Sequence, residues 1–111
     1  MARETNIHRG HREAMRRKLF AVGAGAFHPH ELIEMLLYYS IPLCDTNPTA
    51  HRIIEQLGGL DAALSASQVE LMRVKGVGSA SAALLSLVRP LGRRAEESLE
   101  RPCDGACDYE S

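Results

Sequence analysis

The sequence predicts an all-α fold, a compact bundle of about five to six helices, and three observations carry that prediction. Aromatic residues make up 5% of the 111-residue chain, with no Trp, and alanine- and leucine-rich segments stand where a β protein would carry β-branched runs. Apolar residues recur at helical spacing in one segment after another, and no alternating strand pattern competes. Glycine or proline stands at most of the boundaries between these segments, where helices stop and start.

The first helix is expected over about residues 8–20. Arg9, Arg12 and Arg16 fall at i, i+3 and i+7 and make a basic stripe, while Met15 and Leu19 supply an apolar one. Val22-Gly23-Ala24-Gly25 stops it. A second helix over about 29–40 has Pro29 in its first turn and points Leu32, Ile33, Leu36 and Leu37 inward. Ile41-Pro42-Leu43-Cys44-Asp45-Thr46 breaks the pattern, with Asp45 as a turn or capping residue. Asn47-Pro48 then reads as an N-cap followed by proline, and Ala50, Ile53, Ile54 and Leu57 define a third helix that Gly58-Gly59 ends. Leu60 to Leu64 is a short helical turn. Ser67-Gln68-Val69-Glu70 fits a capping box for a helix ending near Val74. The last helix runs from about Ser79 to Arg94, burying Ala83, Leu84, Leu87, Val88 and Leu91, with Pro90 as a kink or break.

This organisation gives one domain over residues 1–95 and an acidic, disordered tail over 96–111. The formal net charge of −1 conceals opposite ends. Residues 1–18 carry six cations against two carboxylates, while 96–111 carry six carboxylates against Arg101. That tail reads as a solubilising end or a linker of a longer protein, the alternatives being to shield the hairpin by mimicking nucleic acid or to bind a basic partner. Three cysteines without a secretory signal suit a reducing compartment, so the expected location is the cytoplasm. Cys44 reads as a small, partly buried hydrophobe, and Cys103 and Cys107 lack the second ligand pair that a structural zinc needs. The five histidines are scattered over three segments, so surface and capping roles fit them better than a metal.

The chemistry concentrates in Leu71-Met72-Arg73-Val74-Lys75-Gly76-Val77-Gly78-Ser79-Ala80-Ser81. A Gly-x-Gly turn between two helices bends sharply and admits close approach, since glycine carries no Cβ. It opens onto a helix N-terminus, where unpaired N–H groups and the positive end of the helix dipole favour a phosphate. The segment resembles a helix-hairpin-helix motif, a module that grips the DNA sugar-phosphate backbone. Two helix–turn–helix units are visible, about 29–57 and about 67–94. The fold expected is therefore a tandem helix-hairpin-helix (SAM/HhH-like) domain in which the second hairpin keeps the glycine pair.

A wider resemblance supports this. His8-Arg9-Gly10-His11-Arg12-Glu13, Leu32 to Tyr39, Ile41-Pro42, Asp45-Thr46-Asn47-Pro48, Leu57-Gly58-Gly59-Leu60 and Lys75-Gly76-Val77-Gly78 occur in this order. Over about residues 8–90 the chain resembles the N-terminal domain of the RadC family, which is labelled as DNA repair. The resemblance implies a C-terminal metalloprotease-like domain of the JAB/MPN type, before which this sequence stops. That domain's zinc site uses a His-x-His; His28-Pro29-His30 precedes a helix of the hairpin domain and does not match it, so no metal ligand carries over.

For the hairpin, the resemblance implies that N–H groups from Gly78 through Ser79, Ala80 and Ser81 receive a phosphate oxygen beyond the Gly76 bend. Lys75 adds charge, and Arg73 faces the phosphates or solvent. Some such hairpins hold a monovalent cation on backbone carbonyls, here those of Met72, Val74 and Val77. Arg9, Arg12 and Arg16 become auxiliary DNA contacts if their stripe shares a side with Gly78. No nucleophile–base pair, metal-spaced carboxylate pair or nucleotide loop is present, so the expected function is not enzymatic. It is backbone binding to duplex or branched DNA without reading base sequence, in repair or recombination. The alternative is a protein-interaction or oligomerisation module using an uncovered patch around Tyr38, Tyr39 and Ile41, possible partners being another protein or the missing C-terminal domain.

Overall fold

A computed structural model describes residues 2–100. The described residues are all helical in their regular structure, with six α-helices and no strand. In order these are α1 (Ala2–Val22), α2 (Pro29–Leu37), α3 (Asn47–Leu57), α4 (Leu60–Ser65), α5 (Gln68–Met72) and α6 (Ser79–Glu100), with a 3-10 turn at Ala24–Ala26.

The boundaries follow from local chemistry. Gly23 (φ +84) stops α1, its N–H reaching the Leu19 carbonyl at 2.9 Å. At the start of α2, the Glu31 carboxylate accepts the His28 N–H at 2.8 Å, and that bond holds its carboxyl below the ordinary carboxylate range. α2 ends at Leu37 rather than at residue 40, and a run of tight turns carries the chain to Ile41. Thr46, one residue before the expected Asn47, is the N-cap of α3. At its other end, Gly58 (φ +101) and Gly59 (φ +137) both donate to the Ile54 carbonyl and turn the chain toward α4. The capping box of α5 forms as its spacing predicts: Glu70 N–H donates to Ser67 Oγ at 3.1 Å and Ser67 N–H to the Glu70 carboxylate at 3.0 Å.

α2 packs on α3, α5 on α6, and α4 against both α3 and α6. The two expected hairpins are therefore each formed from paired helices, and they share one core. Ile33, Leu37, Ala50, Ile53, Ala63, Leu71, Val74, Val77, Ala82 and Leu85 meet there. A second cluster of Met15, Phe27, Met35 and Tyr38 seats α1 on the outside of the first hairpin. Asp61 and Arg89 form an ion pair that fastens α4 to α6.

Three expectations change. In α6 the buried apolar residues are Ala82 and Leu85, whereas Leu87 and Leu91 are exposed. Apolar residues run round most of this helix, so its period leaves the facing side open. The helix also continues through Pro90 to Glu100, past the point where the tail was expected to begin. Ala95, Glu96, Glu97 and Leu99 are strong helix formers, which outweighs their charge. The rest of the tail, with Cys103 and Cys107, lies outside the described residues. Cys44, expected to be partly buried, is exposed because the turn that carries it faces solvent. Among the described residues, no helix is long and apolar enough to cross a membrane.

Candidate nucleic-acid interface at the second hairpin

Five residues, Arg73 through Val77, carry the chain from α5 into the glycine that precedes α6. Val74 and Val77 insert into the core, and the Val77 N–H closes the turn on the Val74 carbonyl at 3.1 Å. Arg73, Lys75, Gly76 and Gly78 stay exposed. Burying every third residue of the turn thus leaves its charged and its Cβ-less positions on the outside.

The two glycines have different physical reasons. Gly76 has φ +95, and a Cβ there would lie 2.9 Å from Thr49 Oγ1 and 3.3 Å from an Arg52 nitrogen. Its close approach is to this chain's own α3. Gly78 lies outside the left-handed region, and no heavy atom of the described residues lies within 4 Å of a Cβ built on it. Nothing in the fold requires glycine there.

Gly78 is the N-cap of α6, since its carbonyl accepts the first helical N–H, from Ala82, at 2.9 Å. The N–H groups of Ser79, Ala80 and Ser81 therefore have no intrahelical acceptor. Ser79 and Ala80 are exposed. Ser81 is buried, and its hydroxyl pairs with Ser40 Oγ at 2.8 Å, so its side chain belongs to the fold. Of the three carbonyls mapped for a cation, that of Val74 already accepts the Val77 N–H.

One residue beneath this turn carries no local sequence signal. Arg52 of α3 donates from Nε to the Lys75 carbonyl at 3.1 Å and from a terminal nitrogen to Thr49 Oγ1 at 3.1 Å. Its partner at the turn lies 23 residues ahead, beyond the reach of helical periodicity.

The basic stripe of α1 divides. Arg9 and Arg16 are exposed. Arg12 turns inward and donates to the carbonyls of Tyr38 (3.2 Å), Ile41 (2.7 Å) and Cys44 (2.7 Å), with its guanidinium 4.6 Å from the Tyr38 ring centre. As an auxiliary DNA contact it is already occupied by the first turn. Next to it, the buried Glu34 carboxylate accepts from Tyr38 OH (2.9 Å) and Asn47 Nδ2 (3.0 Å) and pairs with His11 Nε2 (2.8 Å). Thr46 Oγ1 donates to the Glu34 carbonyl at 3.1 Å, and the Asn47 N–H to Asp45 Oδ1 at 3.0 Å. Burial and the Glu34 bond push the Tyr38 phenol well above its ordinary value of 10.0. His11-Arg12 and Asp45-Thr46-Asn47, two segments of the sequence pattern, thus converge on one structural clasp.

The expected apolar patch also changes. Tyr38 is buried and Ile41 half-buried, because the clasp and the core take them in. Tyr39 is 70% exposed and borders a groove with Leu19, Ala24, Leu32, Met35 and Leu36. Three of the five histidines come together on the surface, His30 stacking between His28 and His51 at ring-centre distances of 5.7 and 4.1 Å. Among the described residues, no group of three or more His, Cys, Asp or Glu is placed to hold a metal ion.

Comparison with known proteins finds relatives named UPF0758 proteins, the RadC family. A UPF0758 protein of Fusobacterium nucleatum is 38% identical over 82 residues, covering 74% of this chain and 35% of the relative. One from Ruegeria pomeroyi is 38% identical over 72 residues (65% and 32%), and one from Burkholderia thailandensis 36% identical over 93 residues (82% and 36%). The chain thus spans about a third of the length of these curated relatives and is RadC-like over the matched stretch. No family model matches it, and no solved structure does.

Proposed function

We propose that this domain is a helix-hairpin-helix module that binds the DNA backbone, duplex or branched, without reading base sequence. The observation that carries the reading is Gly78: a glycine with no conformational need to be one, at the open N-terminus of a 22-residue helix. A missing Cβ at that point lets a phosphate oxygen reach the N–H groups of Ser79 and Ala80. Lys75 adds charge beside it, Arg73 lies two residues away, and the Ser81 N–H contributes from the inner side. The setting we infer from the RadC-like sequence pattern is DNA repair or recombination, in the cytoplasm. The module carries no reaction of its own, and in a longer protein it serves a C-terminal domain of the JAB/MPN type. It needs no cofactor beyond a monovalent cation at the turn.

About three to four neutralised phosphates give weak binding and a log–log salt slope of about −3. Fluorescence anisotropy on duplex and branched DNA at several salt concentrations tests this. Lys75→Glu is expected to abolish binding at moderate salt while leaving the fold intact, since Lys75 is exposed. No binding at low salt, or binding indifferent to Lys75→Glu, refutes the reading.

One observation favours a second reading, a protein-docking module: the exposed Tyr39 beside its apolar groove. Concentration-dependent self-association lost in Tyr39→Glu, together with absent DNA binding, selects it.

A further inference from the structure

We propose that Arg52 is the positioning residue of the second turn, holding Lys75 to Gly78 in the conformation from which the first N–H groups of α6 face outward. This rests on the phosphate-binding reading for its functional consequence and on the turn's own geometry for its mechanism.

Val74 and Val77 anchor the inner side of the turn in the core, and its outer side has little else to hold it. Two of its residues are glycines, which lose the most backbone freedom on ordering. Among the described backbone bonds that close it, the Val77 N–H to Val74 carbonyl lies on the inner side. On the outer side, the Lys75 carbonyl is held by Arg52 Nε at 3.1 Å. A terminal nitrogen of the same guanidinium is fixed by Thr49 Oγ1 at 3.1 Å, which sets the plane in which Nε points. The left-handed Gly76 closes over this pair, with its Cβ position 3.3 Å from that nitrogen and 2.9 Å from Thr49 Oγ1. Glycine and arginine therefore interlock: if Gly76 leaves the left-handed region, the Lys75 carbonyl swings away from Arg52. The brace needs two donors at a fixed angle, which a guanidinium supplies and an ammonium does not. Arg52 acts through the Lys75–Gly76 backbone and touches no phosphate.

The test uses the full 111-residue chain, with amide exchange and DNA binding measured in parallel. In Arg52→Ala, the Val77 N–H is expected to lose its protection and exchange at close to the rate of an open amide, while those of Ala50 and Ile53 in α3 keep their rates. Affinity for a duplex oligonucleotide falls about tenfold, because a smaller fraction of molecules holds the competent turn. The salt slope stays unchanged, because the number of neutralised phosphates does not change. Arg52→Lys restores neither.

Wild-type exchange at Val77 in Arg52→Ala overturns the proposal. So does rescue by Arg52→Lys, which would make charge rather than geometry the cause. A salt slope reduced by about one would make Arg52 a direct phosphate ligand and equally overturns it. If the wild-type chain binds no DNA, the phosphate reading falls by itself, and the exchange rates still decide whether Arg52 braces the turn.

Discussion

The two turns of this domain join paired helices in similar ways and are braced by side chains to different extents. The first, between α2 and α3, is braced by side chains: Arg12 binds three of its carbonyls, and Glu34 gathers Tyr38, Asn47 and His11. That bracing is enough to hold Leu43 at φ +65, where an L-residue is strained. The second turn is shorter and has one arginine and a left-handed glycine in place of the clasp. In the first turn three backbone carbonyls are taken by Arg12, and the Asn47 N–H at the start of α3 is taken by Asp45. In the second, Arg52 and the left-handed Gly76 set the bend, and Ser79 and Ala80 beyond it lie exposed at the start of α6. The difference leaves the second turn as the one from which the proposed phosphate contact is drawn.

The sharpest break of this comparison is within the second turn. Gly76→Ala adds a Cβ against Thr49 at a left-handed φ, and we expect a loss of about 3 kcal/mol in chemical denaturation. Gly78→Ala meets open space and is expected to cost about 1 kcal/mol or less while weakening DNA binding. Equal effects on stability would erase the distinction between the two glycines. Next, Arg12→Ala is expected to destabilise by about 2 kcal/mol, because three carbonyls lose a charged donor. Arg9→Ala, on the exposed side of the same helix, should stay within about 0.5 kcal/mol. A smaller effect for Arg12 than for Arg9 would mean that the clasp does not hold the first turn.

The smallest effect is a pH dependence. The Tyr38 phenol is raised in the folded state, so its contribution is fully present below its unfolded value of 10.0 and is lost as pH rises above it toward the folded value. Unfolding free energies from denaturant titrations should therefore fall between about pH 10 and 11 by up to about 1 kcal/mol, more steeply than in Tyr38→Phe. An unchanged slope in that variant would remove Tyr38 from the clasp.

What the sequence makes legible is what it encodes locally. Ser67 and Glu70 are three apart and cap α5 as that spacing implies, and Gly58-Gly59 ends α3 because both residues take φ values glycine alone takes readily. The hairpin pairing follows from the same punctuation. Long-range choices are not encoded in this way. Arg12 looks like one tooth of a surface stripe, yet its acceptors lie 26 to 32 residues away. Arg52 is one arginine on a polar helix face until folding brings Lys75 over it. In α6 the period gives a helix but not its inner side, because Leu84, Leu87, Val88 and Leu91 could each have faced the core that Ala82 and Leu85 take.

The open space at Gly78 bears on how this domain would diverge. Selection reaches position 76 through the folded chain alone, so any lineage that keeps the fold keeps glycine there, whatever it binds. At position 78 nothing in the described fold enforces the residue, so, with a phosphate bound there as proposed, a lineage that loses that binding is free to acquire a side chain. In an alignment of relatives the two columns would report different things: the first whether a sequence folds this way, the second whether it still uses the hairpin.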